Sequence, residues 1–572
     1  MNKGSTVKIS GDVSIVLCGA AGQGIQTIEQ ILPRVLKRAG YNVFATKEYM
    51  SRVRGGSNST QIRVSSRRVS AYLDRIDILI PLDNAAIPHL KKRISPDTVI
   101  IGDSEKLSSD LEFIDVPFSG LAKKIGGTIY ENIVAVGMLS GMFRLDIEMV
   151  SDFIMKFFSK KKEDIVRNNI TAFKKGYETG TDFCRSGKFC IDIGTDKEAA
   201  EEILISGSEA VGLGAIAGGC NFISAYPMTP STGVFTFLAQ HSDNFDIIVE
   251  QAEDEIAAMN MQLGAWYAGA RAMVTTSGGG LALMVEGISL AGMIESPAVI
   301  YLAQRPGPAT GLPTRTEQGD LEMALYSGHG EFPRVIYTPG TLEDAFYLTQ
   351  KAFNVADKYQ IPVFVLSDQN LADLIYNLPL PDMSAVNVER YIIKTGSDYK
   401  RYELTEDGIS PRGIPGYGAG IIGADSDEHN EDGHITEDLD LRIKMVDKRL
   451  KKLDLVRAES VPPELIGNEN YETLVVGWGS THGAIKEALE NIGSNDISYL
   501  YIKQVYPLHP DITDYLENAE KTIIVENNAT SQFGKLIKLY LGMEFDSKVL
   551  KYDGMPFSVE ELAGRISREA AI

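Results

Sequence analysis

Four carboxylates, Glu250, Glu253, Asp254 and Glu255, fall within six residues, directly ahead of the apolar run Ile256-Ala-Ala-Met-Asn-Met-Gln-Leu-Gly-Ala265. A helix start attracts negative charge, by ~0.3–1 kcal/mol per group, so dipole compensation alone would account for some of them. The helix that follows is too apolar to be a solvated one, and at least one carboxylate is therefore expected in a buried place. A buried glutamate is more readily protonated and can share a proton with a ligand nitrogen.

Three other segments carry reactive or binding groups. In Ser224-Ala-Tyr226-Pro227-Met228-Thr229-Pro230-Ser231-Thr232 the prolines fix φ on either side of Thr229. That presents a hydroxyl suited to a carboxylate or carbonyl oxygen, while Ser231 or Thr232 can at the same time cap a helix. Met273-Val-Thr-Thr-Ser277-Gly278-Gly-Gly280-Leu places a serine and free backbone between a strand and a helix. The stretch from Ala303 to Asp320 is too rich in Pro and Gly to be helical, and Arg315 within it could fork onto a carboxylate or stand as a surface arginine. Two histidines in the acidic tract 425–440, His429 and His434, read as a solvated loop, with a metal site as the lesser alternative.

These residues need elements to hold them. Val13–Cys18 reads as a strand, followed by Gly19-Ala-Ala-Gly22-Gln-Gly24 and a helical pattern through Ile25, Ile28, Ile31, Leu32, Val35 and Leu36. The glycine loop is either a tight strand–helix turn or an anion site of Rossmann type. Pro33 inside the pattern predicts a kink or break. Ile76–Leu82 and Thr98–Gly102 read as further strands. Strands alternating with helices predict a multidomain α/β chain with a largely parallel sheet. Composition divides it into residues 1–190, 200–382, a polar irregular insert at 383–465 and a final α/β region at 466–572, with Asp182–Glu201 as a linker. A basic helix-like run, Arg442–Lys452, closes the insert.

The chain of 572 residues carries 77 acidic against 56 basic residues, a net charge of −21, which argues against general nucleic-acid binding. No apolar run reaches the ~20 residues that cross a bilayer, and no signal peptide or anchor is expected. Its four cysteines form no CxxC pair, so a Cys-only zinc or iron–sulfur site is not expected, and a reducing, cytoplasmic location is.

Taken in order, these segments resemble the fused gamma–alpha subunit of 2-oxoacid:ferredoxin oxidoreductases, of the 2-oxoglutarate type. The resemblance rests on Gly19–Gly24, Glu48-Tyr49 and Arg54-Gly-Gly56 in the first region. In the second it rests on Tyr226–Pro230, Gln251–Ala258 with Gly269-Ala-Arg271, and Gly311–Asp320. It implies a Rossmann-like gamma domain at 1–190 and a pyrimidine-type thiamine-diphosphate-binding domain at 200–382, with a transketolase C-terminal-like domain at 466–572. The implied reaction is CoA-dependent oxidative decarboxylation of 2-oxoglutarate to succinyl-CoA with reduction of ferredoxin, or its reverse.

In that family Mg²⁺, the diphosphate site and a 4Fe-4S cluster belong to a beta subunit, and the implied assembly is a dimer of heterodimers. The chain has no Gly-Asp-Gly followed by Asn, in keeping with such a division. The resemblance gives Glu255, nine positions before Gly264, the task of bonding the coenzyme's pyrimidine nitrogen, with Glu253 in reserve. Tyr226, Pro227, Ser277 and Gly278 would line the cofactor. Thr229 and Arg315 would hold the substrate carboxylate, and Lys47 would meet the distal carboxylate of 2-oxoglutarate. Pyruvate, branched-chain or aryl-pyruvate substrates, or a non-catalytic docking or regulatory role, are the alternatives.

Overall fold

A computed structural model describes residues 7–20, 25–51, 56–187 and 189–571, and the chain divides into two compact units. The first holds residues 1–205 with 374–380, and the second holds 206–373 with 381–572. Residues 374–380, placed by composition in the second region, thus belong to the first unit.

In the first unit the strand at Asp12–Ala20 and the helix at Ile25–Arg38 lie where the periodicity puts them. The helix continues through Pro33 without a break, because Ile28, Ile31, Leu32, Val35 and Leu36 are all buried and their packing outweighs the lost backbone hydrogen bond. The sheet is mixed, which corrects the expectation of a largely parallel one. Asp12–Ala20 pairs parallel with Ile78–Pro81 but antiparallel with Ser57–Ser65, which pairs antiparallel with Asn42–Glu48. Asn42–Glu48 and Ser57–Ser65 are joined by a short connection with no described crossover helix, which suits an antiparallel pair. Helices Glu131–Met142 and Glu163–Arg185 approach each other through glycines. A methyl on Gly137 or Gly141 would stand 2.2 or 2.3 Å from a carbonyl oxygen of the facing helix, and on Gly176 or Gly180 2.0 or 1.9 Å.

The expected linker is folded. Phe189–Asp192 pairs with Val7–Ser10, Lys197–Glu201 is a short helix capped by Asp196, and Cys184 is joined to Cys190 in a disulfide that the cysteine spacing did not announce. Of the Gly19–Gly24 loop, residues 21–24 lie outside the described residues, as do Arg54 and Gly55.

The second unit is built on a seven-stranded sheet in the order 248–251, 222–225, 272–276, 298–304, 362–368, 335–337, 504–506, parallel except for the last pairing. A five-stranded sheet around Thr473–Trp478 completes it, with Trp266 and Trp478 fully buried. The insert has little regular structure before the helix Leu439–Ala458.

That basic helix is not solvated. Lys448 and Lys452 are buried and lie 2.7 and 2.5 Å from the buried carboxylate of Glu295. Burial works against charge on Glu295, but Lys452, Lys448 and Arg401 overcome it and hold the carboxyl well below its ordinary range. The acidic tract is not simply solvated either. His429 is fully buried, its ring 3.9 Å from that of Tyr402, and its Nδ1 bonds the Asp427 carbonyl at 2.9 Å. Burial lowers its pKa. Only His434 is exposed, and no metal-binding group of side chains is found among the described residues. No described helix is long and apolar enough to cross a membrane.

Candidate active site

Four neighbouring parallel strands of the second unit end at the same edge of the sheet, so the segments leaving them are brought together there. Phe222–Ala225 delivers the loop Tyr226–Ser231, Ile248–Gln251 delivers Glu253–Glu255, Ala272–Thr276 delivers Ser277, and Ala298–Gln304 delivers Arg305. This gathering depends on strand order, which local periodicity does not contain.

Glu255 opens the helix Glu255–Tyr267. Asp254 caps that helix by accepting from the Ala257 backbone N–H at 2.7 Å, which leaves Glu255 free to point inward. Glu255 is 3% exposed, and its Oε1 atom is buried without a hydrogen-bond partner. It lies against the first turn of the helix Gly278–Met293, where a methyl on Gly280 would stand 2.7 Å from that oxygen and 2.1 Å from Thr276 Oγ1. Glu253, two residues earlier, is exposed. Of the acidic run it is thus Glu255 that occupies the buried place.

Ser277 is fully buried and its hydroxyl is also unpartnered. Beside it a methyl on Gly278 would stand 2.5 Å from Asp320 Oδ2, another buried oxygen without a partner. Unsatisfied buried polar atoms are costly, and three of them around one glycine-rich helix start mark a place shaped for a hydrogen-bonding ligand. That set of buried donors and acceptors would fit the polar edge of a heteroaromatic ring.

Thr229 is partly exposed in its loop, with Tyr226 at 42% and Pro227 exposed beside it. Its carbonyl accepts from Arg305 Nη1 at 2.6 Å. Arg305 directly follows the strand Ala298–Gln304, at the C-terminal end of the strand, where the other candidate residues gather. Arg315 instead sits beside Gly554 and Met555, with Nη1 3.5 Å from the Met555 sulfur. Lys47 belongs to the first unit, in the strand Asn42–Glu48, with its ammonium 5.4 Å from the ring of Tyr49. Asp320 carries no signature in the sequence beyond its place in the glycine- and proline-rich loop.

Residues 213–448 match the family described as pyruvate flavodoxin/ferredoxin oxidoreductase, thiamine diP-bdg, and residues 14–179 match pyruvate ferredoxin/flavodoxin oxidoreductase. A 2-oxoacid:ferredoxin oxidoreductase subunit alpha from Sulfolobus sp. is 33% identical, with 96% of each chain covered. The 2-oxoglutarate oxidoreductase subunit KorA of Mycobacterium tuberculosis is 27% identical over 98% of this chain and 91% of its own. Among solved structures, a 2-oxoglutarate:ferredoxin oxidoreductase from Magnetococcus marinus, with 2-oxoglutarate, coenzyme A and succinyl-CoA bound, is 32% identical. It covers 98% of this chain and 99% of its own, with a TM-score of 0.91. Likeness of this extent, reaching both units, makes the chain a member of the 2-oxoacid:ferredoxin oxidoreductase alpha-subunit family.

Proposed function

We propose that the chain is the alpha subunit of an oxidoreductase that decarboxylates 2-oxoglutarate in the presence of coenzyme A, forms succinyl-CoA and passes electrons to ferredoxin. The observation that carries this reading is the buried, unpartnered Glu255 Oε1 at the glycine-rich start of the Gly278–Met293 helix. Thiamine diphosphate, when bound, supplies the acidic thiazolium carbon and the electron sink that decarboxylation requires. Glu255 would hydrogen-bond the pyrimidine nitrogen, and Ser277 and Gly278 would line the ring with Tyr226 and Pro227. Thr229, with Arg305 at its carbonyl and Arg315 on the same long loop, orients the oxoacid carboxylate.

The apolar residues around this site favour a partner. Tyr226, Ile256 and Leu283 are 42%, 49% and 49% exposed although they flank the buried Glu255 turn. Covering such a surface is the expected work of a second subunit. A beta subunit would bring the diphosphate–Mg²⁺ half of the site and the 4Fe-4S cluster, in a dimer of heterodimers. A cytoplasmic location is supported by the low cysteine count and by the free, buried Cys18 and Cys220, whereas the Cys184–Cys190 disulfide counts against a reducing compartment.

The test is reconstitution. Chain, beta subunit, thiamine diphosphate, Mg²⁺ and coenzyme A are combined, and methyl viologen reduction is followed with 2-oxoglutarate, pyruvate and aryl pyruvates. Reduction that depends on 2-oxoglutarate is expected. Turnover with aryl pyruvates alone would move the enzyme to another substrate class, and no turnover with any oxoacid would leave only a docking role.

A further inference from the structure

We propose that Gln318 is a positioning residue of this site: it locks the loop that carries Arg315 and Asp320 onto the five-stranded sheet, in the geometry that receives the oxoacid. The inference rests on the function proposed above and adds to it the part of the fold that holds the substrate loop.

All four polar atoms of Gln318 are hydrogen-bonded, and every partner lies in the last region of the chain. Its backbone N–H donates to the Asn527 carbonyl at 2.7 Å, and its Nε2 donates to the Trp478 carbonyl at 2.8 Å. Its Oε1 accepts from the Asn527 backbone N–H at 2.8 Å, and its carbonyl accepts from Asn528 Nδ2 at 3.1 Å. These partners stand where two neighbouring parallel strands, Thr473–Trp478 and Lys521–Glu526, end at the same edge of the five-stranded sheet. Gln318 is fully buried, so losing either side-chain bond leaves a buried group unsatisfied. A glycine makes room for the contact. Gly479 has a φ of +58°, in the left-handed region, and a methyl there would stand 2.9 Å from Gln318 Nε2.

The residues on either side are held in the same way. The Thr316 N–H donates to the Gly554 carbonyl at 3.1 Å, and Gln532 Nε2 donates to the Gly319 carbonyl at 2.7 Å. The Asp320 N–H donates to Gln304 Oε1 at 2.9 Å. Residues 307–312, by contrast, are exposed. The pinned stretch thus begins one residue after Arg315 and ends at Asp320, whose carboxylate lies against Gly278 at the start of the Gly278–Met293 helix. A loop without helix or strand has no hydrogen-bond ladder of its own, so its geometry comes from the segments it leans on. Gln318, at the centre of the stretch, fixes the spacing between the arginine proposed for the substrate carboxylate and the helix start beside Ser277.

The experiment uses the assembled enzyme with Gln318→Met, which keeps the length of the side chain and removes both of its bonds. KM for 2-oxoglutarate is expected to rise by about ten-fold, with KM for coenzyme A within about two-fold of the parent and a smaller change in kcat, since a misplaced loop weakens the ligand that it holds. Gln318→Glu, which keeps the acceptor for Asn527 and loses the donor to Trp478, is expected to show the same split. An unchanged KM for 2-oxoglutarate, or a rise shared equally by both substrates, overturns the proposal.

Limited trypsinolysis gives a readout independent of turnover. Arg315–Thr316 is the bond at the head of the pinned stretch, whereas Arg305 is followed by a proline and resists trypsin. Cleavage after Arg315, read by peptide mass spectrometry and divided by cleavage at the chain's other sites, is expected to be at least about five-fold faster in Gln318→Met. A general loss of stability speeds all sites together and leaves that ratio unchanged, and an unchanged ratio overturns the lock whatever the enzyme's substrate proves to be. Should the parent enzyme turn over no oxoacid, the proposed function fails, while a raised ratio keeps Gln318 as the lock of this loop. Should Gln318→Met fail to assemble, Gln318→Glu decides through the same split and the same ratio.

Discussion

Glu255 and Gly280 form a matched pair: the carboxylate Oε1 lies 2.7 Å from where a methyl on the glycine would stand. A side chain at 280 would therefore move the one residue of the acidic run that is buried. Gly280→Ala is expected to assemble with its partner yet lose most turnover, since overpacking costs about 1–3 kcal/mol and the displaced group is the one proposed to meet the coenzyme. Glu255→Gln is expected to lower kcat by about 10²-fold or more while leaving the thermal transition near that of the parent. Glu253→Gln, at an exposed position, is expected to leave turnover nearly unchanged. The reverse ranking of the two glutamates would reassign the role.

Two arginines on one loop are separated by what they touch. Arg305 donates to the Thr229 carbonyl, whereas Arg315 lies against Met555. Steady-state kinetics across both alanine variants are expected to show the larger rise in KM for the oxoacid in Arg305→Ala, by about ten-fold or more. A larger effect in Arg315→Ala would return the carboxylate-holding role to that residue alone.

Lys47 is the candidate for substrate choice. Lys47→Ala is expected to reduce the ratio of kcat/KM for 2-oxoglutarate over pyruvate by about ten-fold, because only the longer substrate has a second carboxylate to lose. An unchanged ratio would remove Lys47 from the account.

The Glu295 carboxylate compensates two buried lysines. Glu295→Gln is expected to destabilise the second unit by about 3–5 kcal/mol, because breaking a buried pair leaves uncompensated charge. Chemical denaturation followed by tryptophan fluorescence reads this directly, as Trp266 and Trp478 are both buried in that unit. A loss within experimental scatter would mean that the lysines find water.

His482 is buried, with its ring 4.0 Å from that of Tyr501, and burial lowers its pKa from 6.5 to about 4. Between these values the unfolded chain binds the proton that the folded chain refuses. Stability should therefore be complete above about pH 6.5 and be lost as the pH falls toward about 4. His482→Phe, which keeps the ring and removes the titration, is expected to flatten that part of the stability–pH curve. A curve of unchanged slope would show that other groups govern it.

How much of this was legible beforehand differs from residue to residue. The acidic run was readable as a helix start with a buried member because its composition changes abruptly at Ile256, and local composition reports local burial. Pro33 misled in the other direction. A proline predicts a helix break only when nothing repays the lost hydrogen bond, and here a buried stripe of isoleucine, leucine and valine does. The disulfide, the mixed first sheet and the buried His429 each join residues whose meeting depends on the folded chain, and no spacing rule expresses that.

Residue types and their order were enough to determine that the chain is α/β and which family it belongs to, and to single out Thr229, Ser277 and the Glu253–Glu255 turn as the candidate site. Strand order and helix packing alone decided that Glu255 rather than Glu253 is enclosed, that Arg305 reaches Thr229, and that Asp320 comes to rest on Gly278. The reason is physical. Propensity and periodicity act over one turn or one strand, whereas burial and hydrogen-bond partners are set by segments that meet only after the parallel strands have aligned their ends.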